Sequence, residues 1–141
     1  MKMTSDSTFQ LREKLPSEFK QVSPFVDRIF KELSQRSLKE DLNFKIKLAL
    51  EEALTNAMRH GNSLKASRKV DVCVTMDSQT ILLEVHDEGR GFNAKSVPDP
   101  TKKGYAENIP GGRGIFLMQQ LMDHVEFYDG GRGVRMLKQL L

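Results

Sequence analysis

The feature that most constrains the fold is the alternation in "KVDVCVTMD" (69–77) and "TILLEVHD" (80–87). Val70, Val72, Val74 and Met76 occupy every second position, with polar or small residues between them. Successive side chains of a strand point to opposite faces, so this pattern describes strands that bury one face only. A short Ser78-Gln79 turn joins the two runs and predicts a hairpin. Cys73 is out of phase with Val72 and Val74, which places it on the opposite face as a small filler.

The flanking segments supply the layer that covers the apolar face. "TFQLREKL" (8–15) alternates and reads as a first strand. "SEFKQVSPFVDRIFKELSQR" (17–36) repeats its apolar residues at three- and four-residue spacing, as an amphipathic helix does. Pro24 lies inside it, which predicts a kink or a restart. A second helix is predicted from about Lys39 to His60. Its buried face is Leu42, Ile46, Leu50, Ala53, Leu54 and Ala57, and Gly61-Asn62 is its stop signal. A glycine- and proline-rich stretch spans 88–114; loops of that length are usually functional. "IFLMQQLMDHV" (115–125) restores helical periodicity, with Leu117, Met118, Leu121 and Met122 as a packing stripe. "VEFYDGGRGVRMLKQLL" (125–141) reads as two strands around a Gly-Gly-Arg-Gly turn. The order β-α-α-β-β-loop-α-β-β predicts an α+β fold: a two-layer α/β sandwich, its sheet mixed but mostly antiparallel, with helices on one face. The expectation is a single domain over 1–141.

Composition narrows the class. Apolar residues make up 38% and charged residues 29%, as in a globular chain rather than a disordered one. The net charge of +3 is spread along the sequence, with no basic block of the nucleic-acid-binding kind. One cysteine excludes an internal disulfide, and three scattered histidines lack metal-ligand spacing. No apolar run approaches a membrane span, and the polar start "MKMTSDSTFQ" shows no signal peptide. A reducing, cytoplasmic setting is expected.

Three short segments carry the chemistry. In "EEALTNAMRHGN" (51–62), Leu48, Glu52, Asn56 and His60 lie four apart and form one stripe beside Ala53 and Ala57. By itself this is either a cleft wall or a solvated helix edge. In "DEGRGF" (87–92), an Asp ends a strand before Gly89 and Gly91. An ionised Asp only accepts hydrogen bonds, so Asp87 suits an exocyclic amine, and the glycines leave room for a flat ring. Alone, the pattern is also that of an ordinary turn. In "GGRGIFLMQQLMD" (111–123), glycines open a helix whose free N–H groups and dipole suit an anion; the alternative is a hinge.

Taken in order, the three describe a nucleotide pocket. Asp87 would read the base, and the helix start at Gly112, Arg113, Gly114 and Ile115 would hold phosphates. Asn56 would offer an oxygen to Mg²⁺, which favours such ligands. Glu52 would reach the far phosphate and serve as general base. The loop at about 92–110 would be a lid. His60 either touches phosphate or lid, or helps to end its helix as a cation. Arg59 is placed off the stripe, and Glu88 is read as structural or exposed. Lys102 and Lys103 either close on phosphates or stay solvated.

These segments resemble the N-box and the two glycine boxes of the GHKL ATPase/kinase superfamily. The short chain, the E-A-L-T-N-A form with His-Gly after it, and G-R-G-I-F-L-M are most similar to the bacterial anti-sigma-factor serine kinases. The resemblance implies ATP and Mg²⁺ as cofactors, with Glu52 as catalytic glutamate, Asn56 as metal ligand and Asp87 as adenine reader. It implies Gly89, Gly91, Gly112 and Gly114 around the nucleotide. It further implies a sigma factor, or a STAS-type antagonist phosphorylated on Ser or Thr, as partner, and often a homodimer. The alternative within the family is sequestration without catalysis. A detached histidine-kinase domain fits poorly, because no helix bearing a phosphoacceptor His is recognisable. Two positions depart from the branch. Ile109-Pro110 stand where an arginine is frequent, leaving Arg113 either to substitute or to face solvent. Arg132 stands where a threonine is frequent.

Overall fold

The computed structural model describes residues 8–36, 38–92 and 112–141. Five strands form one sheet: β1 (Phe9–Pro16), β2 (Lys69–Met76), β3 (Thr80–His86), β4 (His124–Tyr128) and β5 (Gly133–Gln139). Their spatial order is β1-β2-β3-β5-β4, and all four pairings are antiparallel. The parallel pair that a mixed sheet would contain is absent among the described residues. Helices α1 (Val22–Ser34), α2 (Glu40–Asn56) and α3 (Gly112–Leu121) supply the second layer.

The alternation seen in the sequence becomes the two faces of the sheet. Val70, Val72, Val74 and Met76 are buried, as are Ile81, Leu83 and Val85 on β3. They meet Ile29 and Leu33 of α1, Ile46, Leu50 and Leu54 of α2, and Ile115 and Met118 of α3 in one core. Burying each Leu or Ile is worth about 1.5–3 kcal/mol, which the isolated, short α3 could not supply from propensity alone. The other face is bare and polar. Arg12 bonds Asp71 across β1 and β2 (2.7 Å), and Arg135 reaches Glu84 (3.2 Å) and lies 4.2 Å over the Tyr128 ring. The β2–β3 turn is closed by Asp77, whose Oδ1 accepts the N–H groups of Gln79 and Thr80, both at 2.8 Å.

Several boundaries differ from the expectation; α2, expected to reach His60, ends as an α-helix at Asn56. The first helix does not begin at Ser17: a 3₁₀ turn, Phe19–Gln21, precedes α1. Pro24 then falls in the first turn of α1, where its missing N–H has no intrahelical partner to lose. The last helix stops at Leu121 rather than continuing to Val125. Asp123 captures the end of β5 instead, its N–H donating to the Leu137 carbonyl (2.9 Å) and its carboxylate accepting from the Gln139 N–H (2.6 Å). That pairing starts β4 one residue later. No helix among the described residues is long and apolar enough to cross a membrane.

Candidate functional site

The polar stripe lies at the C-terminal end of α2, where the helix changes character. Ala57–Gly61 form a single π turn, in which the Asn62 N–H bonds the Ala57 carbonyl five residues back (2.8 Å). π turns inside helices are frequent at functional sites. The chain then turns away through Ser63 and Leu64, both in the left-handed region (φ 52° and 56°). Glu52, Asn56 and His60 share one wall, as their spacing required, but so do Thr55 and Arg59. Residues three and seven along from Glu52 lie on the same face of a helix as those at four and eight, so a ladder of fours alone misses them. The Arg59 guanidinium lies 4.9 Å from the Phe19 ring centre. Burial, and then the charge of Arg59, lower the His60 pKa, which disfavours a cationic helix end.

Asp87 follows β3 and is only 6% exposed. Its Oδ1 accepts the Gly89 N–H (2.8 Å), and its own N–H donates to the Arg132 carbonyl (3.0 Å). Burial raises its pKa, opposed by the Gly89 hydrogen bond and by the charges of His86, Arg132 and Arg68. The carboxylate packs directly on the backbone of Gly61, where no β-carbon would fit. Gly61 does not adopt a positive φ, so the position requires glycine for space and not for backbone conformation.

Two compartments adjoin here. The inner one, a cavity of about 110 Å³, is walled largely by apolar groups, among them Ala53, Val85, Phe92, Met118, Phe127 and Val134, with Asp87 as its buried acid. Phe92 and Phe127 meet edge to face at 5.1 Å. The outer one is polar and lies between Glu52, Thr55 and Asn56 on α2, Arg59 and His60 on the π turn that follows it, and Gly112, Arg113 and Gly114 on α3. Asn56 and His60 belong to both. A largely apolar cavity with a buried carboxylate, adjoining a polar cleft at a helix start, has the division of chemistry that a nucleotide needs.

The third wall is the turn between β4 and β5. Gly130 and Gly131 take positive φ (63° and 87°), which lets this turn pass close to Phe92, whose N–H donates to the Gly130 carbonyl (2.8 Å). Arg132 ties it to the Asp87 turn through Nε to the Gly89 carbonyl (2.8 Å). His86 holds the turn from the far side, with Nε2 2.7 Å from Asp129 Oδ2.

The structure therefore places Glu52, Asn56, Gly112, Arg113 and Gly114 on the outer cleft and Asn56, Asp87 and Gly91 on the inner cavity, whereas Gly89 lines neither and packs on the Gly61 carbonyl. The closest approach of the two motifs is at Gly114, where a β-carbon would lie 2.9 Å from Glu52 Oε2 and 3.7 Å from Asn56 Oδ1. Gly91 lines the inner cavity with φ 77°. Arg113 is exposed at the mouth of the outer cleft. The Ile115 side chain, expected at the phosphate end, lies instead in the core with no exposure and lines neither compartment, because the helix turns that position toward the sheet. Among the described residues, neither Glu52 nor Asn56 has a side-chain partner, and unpaired oxygens beside a helix start fit a hydrated Mg²⁺. The lid expected at about 92–110, with Lys102, Lys103, Ile109 and Pro110, lies outside the described residues except for Phe92. Glu88 is structural, its Oε1 accepting the Lys69 N–H (2.6 Å).

The sequence profile of the histidine kinase-like ATPase domain matches residues 15–138. Among curated proteins, the chain is similar to the anti-sigma F factors of Clostridium acetobutylicum (30% identity over 82 residues), Anoxybacillus flavithermus (32% over 84) and Bacillus thuringiensis (34% over 82). These alignments cover 57–59% of this chain and 56–58% of the relatives, so the chain spans little more than half the length of the curated relatives it matches. A profile running from the end of β1 to the end of β5 includes every wall of the cleft, and the chain belongs to the family of histidine kinase-like ATPase domains.

Proposed function

We propose that this chain is a regulatory protein kinase of the anti-sigma-factor type, acting as a single ATP-binding domain over 1–141. Membership of an ATPase family implies ATP as ligand. The similarity to anti-sigma F factors supports a sigma factor, or a STAS-type antagonist, as protein partner. The observation that carries the reading is the approach of Gly114 to Glu52 and Asn56, which sets a general base and a metal-ligand oxygen against a helix start.

In this reading Asp87 accepts a hydrogen bond from the adenine amine, inside the cavity floored by Phe92, Phe127 and Met118. The main-chain N–H groups opening α3 receive phosphate oxygens. Asn56 Oδ1 would hold Mg²⁺, which when bound would supply compensation of phosphate charge. Glu52 orients the partner's Ser or Thr hydroxyl and takes its proton as the oxygen attacks the γ-phosphorus and the bond to the departing ADP oxygen breaks. His60, whose pKa burial lowers, stands at this wall with little tendency to carry charge. Arg113, exposed at the mouth, is free to meet phosphate or partner. Phosphoryl transfer needs little beyond such positioning and charge compensation.

The test is incubation of the chain with ATP, Mg²⁺ and its cognate antagonist, with phosphoserine or phosphothreonine read by mass spectrometry. Wild type should phosphorylate the antagonist and Glu52→Ala should not. If neither transfers phosphate while both bind ATP and inhibit the partner, regulation is by sequestration and the kinase reading fails.

A further inference from the structure

In the sequence Asn62 belongs to a helix stop signal, yet it has no exposure to solvent and bonds through both its amide nitrogen and its oxygen. Its Nδ2 donates to Ser17 Oγ (2.9 Å) and to the Lys69 carbonyl (3.1 Å), and its Oδ1 accepts the Glu88 N–H (2.8 Å). Ser17, also buried, passes its own proton to the Arg68 carbonyl (2.7 Å). One side chain thus joins the end of the helical stripe, the connection after β1, the start of β2 and the turn after β3.

The last of these contacts matters for the ligand. Glu88 immediately follows Asp87, and Gly89 supplies the N–H that holds the Asp87 carboxylate. Gly61 immediately precedes Asn62, and its backbone is in close packing with both Asp87 and Gly89. The distance between the π turn and the Asp87 carboxylate is therefore fixed by steric contact at Gly61 and by the Asn62–Glu88 hydrogen bond beside it. A backbone N–H released from Asn62 in so closed a place would leave the turn free to swing its acid off the base.

We infer that Asn62 is a positioning residue for base selection: through Glu88 it holds Asp87 where the carboxylate distinguishes an amine from a carbonyl on the ligand ring. This rests on the reading of Asp87 as the base acceptor, so the experiment separates the two. ATP and ITP differ at this edge, the first carrying an exocyclic amine and the second a carbonyl. Their dissociation constants are measured for wild type, Asn62→Ala and Ser17→Ala, each below its melting temperature. Wild type should prefer ATP, and Asn62→Ala should cut the preference by about tenfold, as for loss of a hydrogen bond to an ionised group. Ser17→Ala removes an Asn62 partner but leaves the Glu88 bond, so it should lower Tm and keep the preference.

Equal wild-type affinity for the two nucleotides would overturn the reading of Asp87, and this inference with it. A folded Asn62→Ala chain with the wild-type preference overturns the inference alone, as does a Ser17→Ala chain that loses preference in step with stability. Amide exchange in the wild type needs no variant: the Glu88 N–H should be protected although its side chain is exposed. Rapid exchange at Glu88 would equally overturn the proposal.

Discussion

Gly61→Ala tests how closely the helix end and the base acceptor are matched. The backbone there is not left-handed, so alanine introduces no strain. Relief of glycine's unfolded-state entropy would by itself stabilise the fold by about 0.4–1 kcal/mol. The added β-carbon, however, would lie 2.3 Å from both Cγ and Oδ2 of Asp87. Non-bonded carbon contacts sit at about 3.5–4.0 Å, so the carboxylate must retreat by roughly 1 Å or more. It is buried and held by the Gly89 N–H, and overpacking of such a site costs about 1–3 kcal/mol. The two effects together leave a net loss of about 0–2.6 kcal/mol, small enough for the chain to remain folded. The ligand loses more. A hydrogen bond to a charged acceptor is worth about 1.5–3 kcal/mol, so ATP affinity should fall roughly 10- to 100-fold. Titration calorimetry with ATP, paired with thermal denaturation, measures both. Binding within threefold of wild type would refute the steric argument, and so would a loss of binding that merely accompanies unfolding.

Further outcomes follow from the same geometry. In Asp87→Asn the Gly89 bond survives while the buried charge does not. Since burial raises the Asp87 pKa, wild type should lose stability as pH rises through that raised value. Relative to wild type, the variant should therefore be more stable at pH 7 than at pH 4 while failing to bind ATP; a parallel pH dependence of Tm in the two proteins would contradict this. Asp77 has the opposite sign, its carboxyl held low by the Gln79 and Thr80 N–H groups. Its contribution should disappear as pH falls through the lowered value, so Asp77→Ala should flatten the acid limb of the stability curve, read by denaturant titration. Asn56→Ala should weaken ATP binding in Mg²⁺ but change it little in EDTA, as a metal-ligand oxygen requires. Leu54→Ala, at a position with no exposure, should cost about 2–5 kcal/mol in urea denaturation.

Much of this was legible because side-chain period encodes direction. The every-second-residue valines of β2 named the buried face of the sheet, and Glu52 and Asn56 at fourfold spacing did share a wall. Asp87 was recognisable from its place at a strand end before two glycines. What stayed hidden depended on approach between distant segments. Gly61 looked like a stop signal, whereas its role is to make room for a carboxylate twenty-six residues on. Asn62 looked like the same signal, because nothing local reveals partners at Ser17, Lys69 and Glu88. Thr55 and Arg59 were lost by following one ladder of the helix only. The start of β4 was misjudged because Met122, Asp123 and His124 keep helical company in sequence, while Asp123 answers to β5.

Asn56 and His60 stand in the wall of both compartments, with less than two turns of one helix behind them. In the proposed reading, a ring and its phosphate tail would thus be weighed by the same short piece of backbone. Anything that unwinds it releases both grips at once, so the cleft should be lost as a unit, and a ligand seated askew at one end would arrive misaligned at the other.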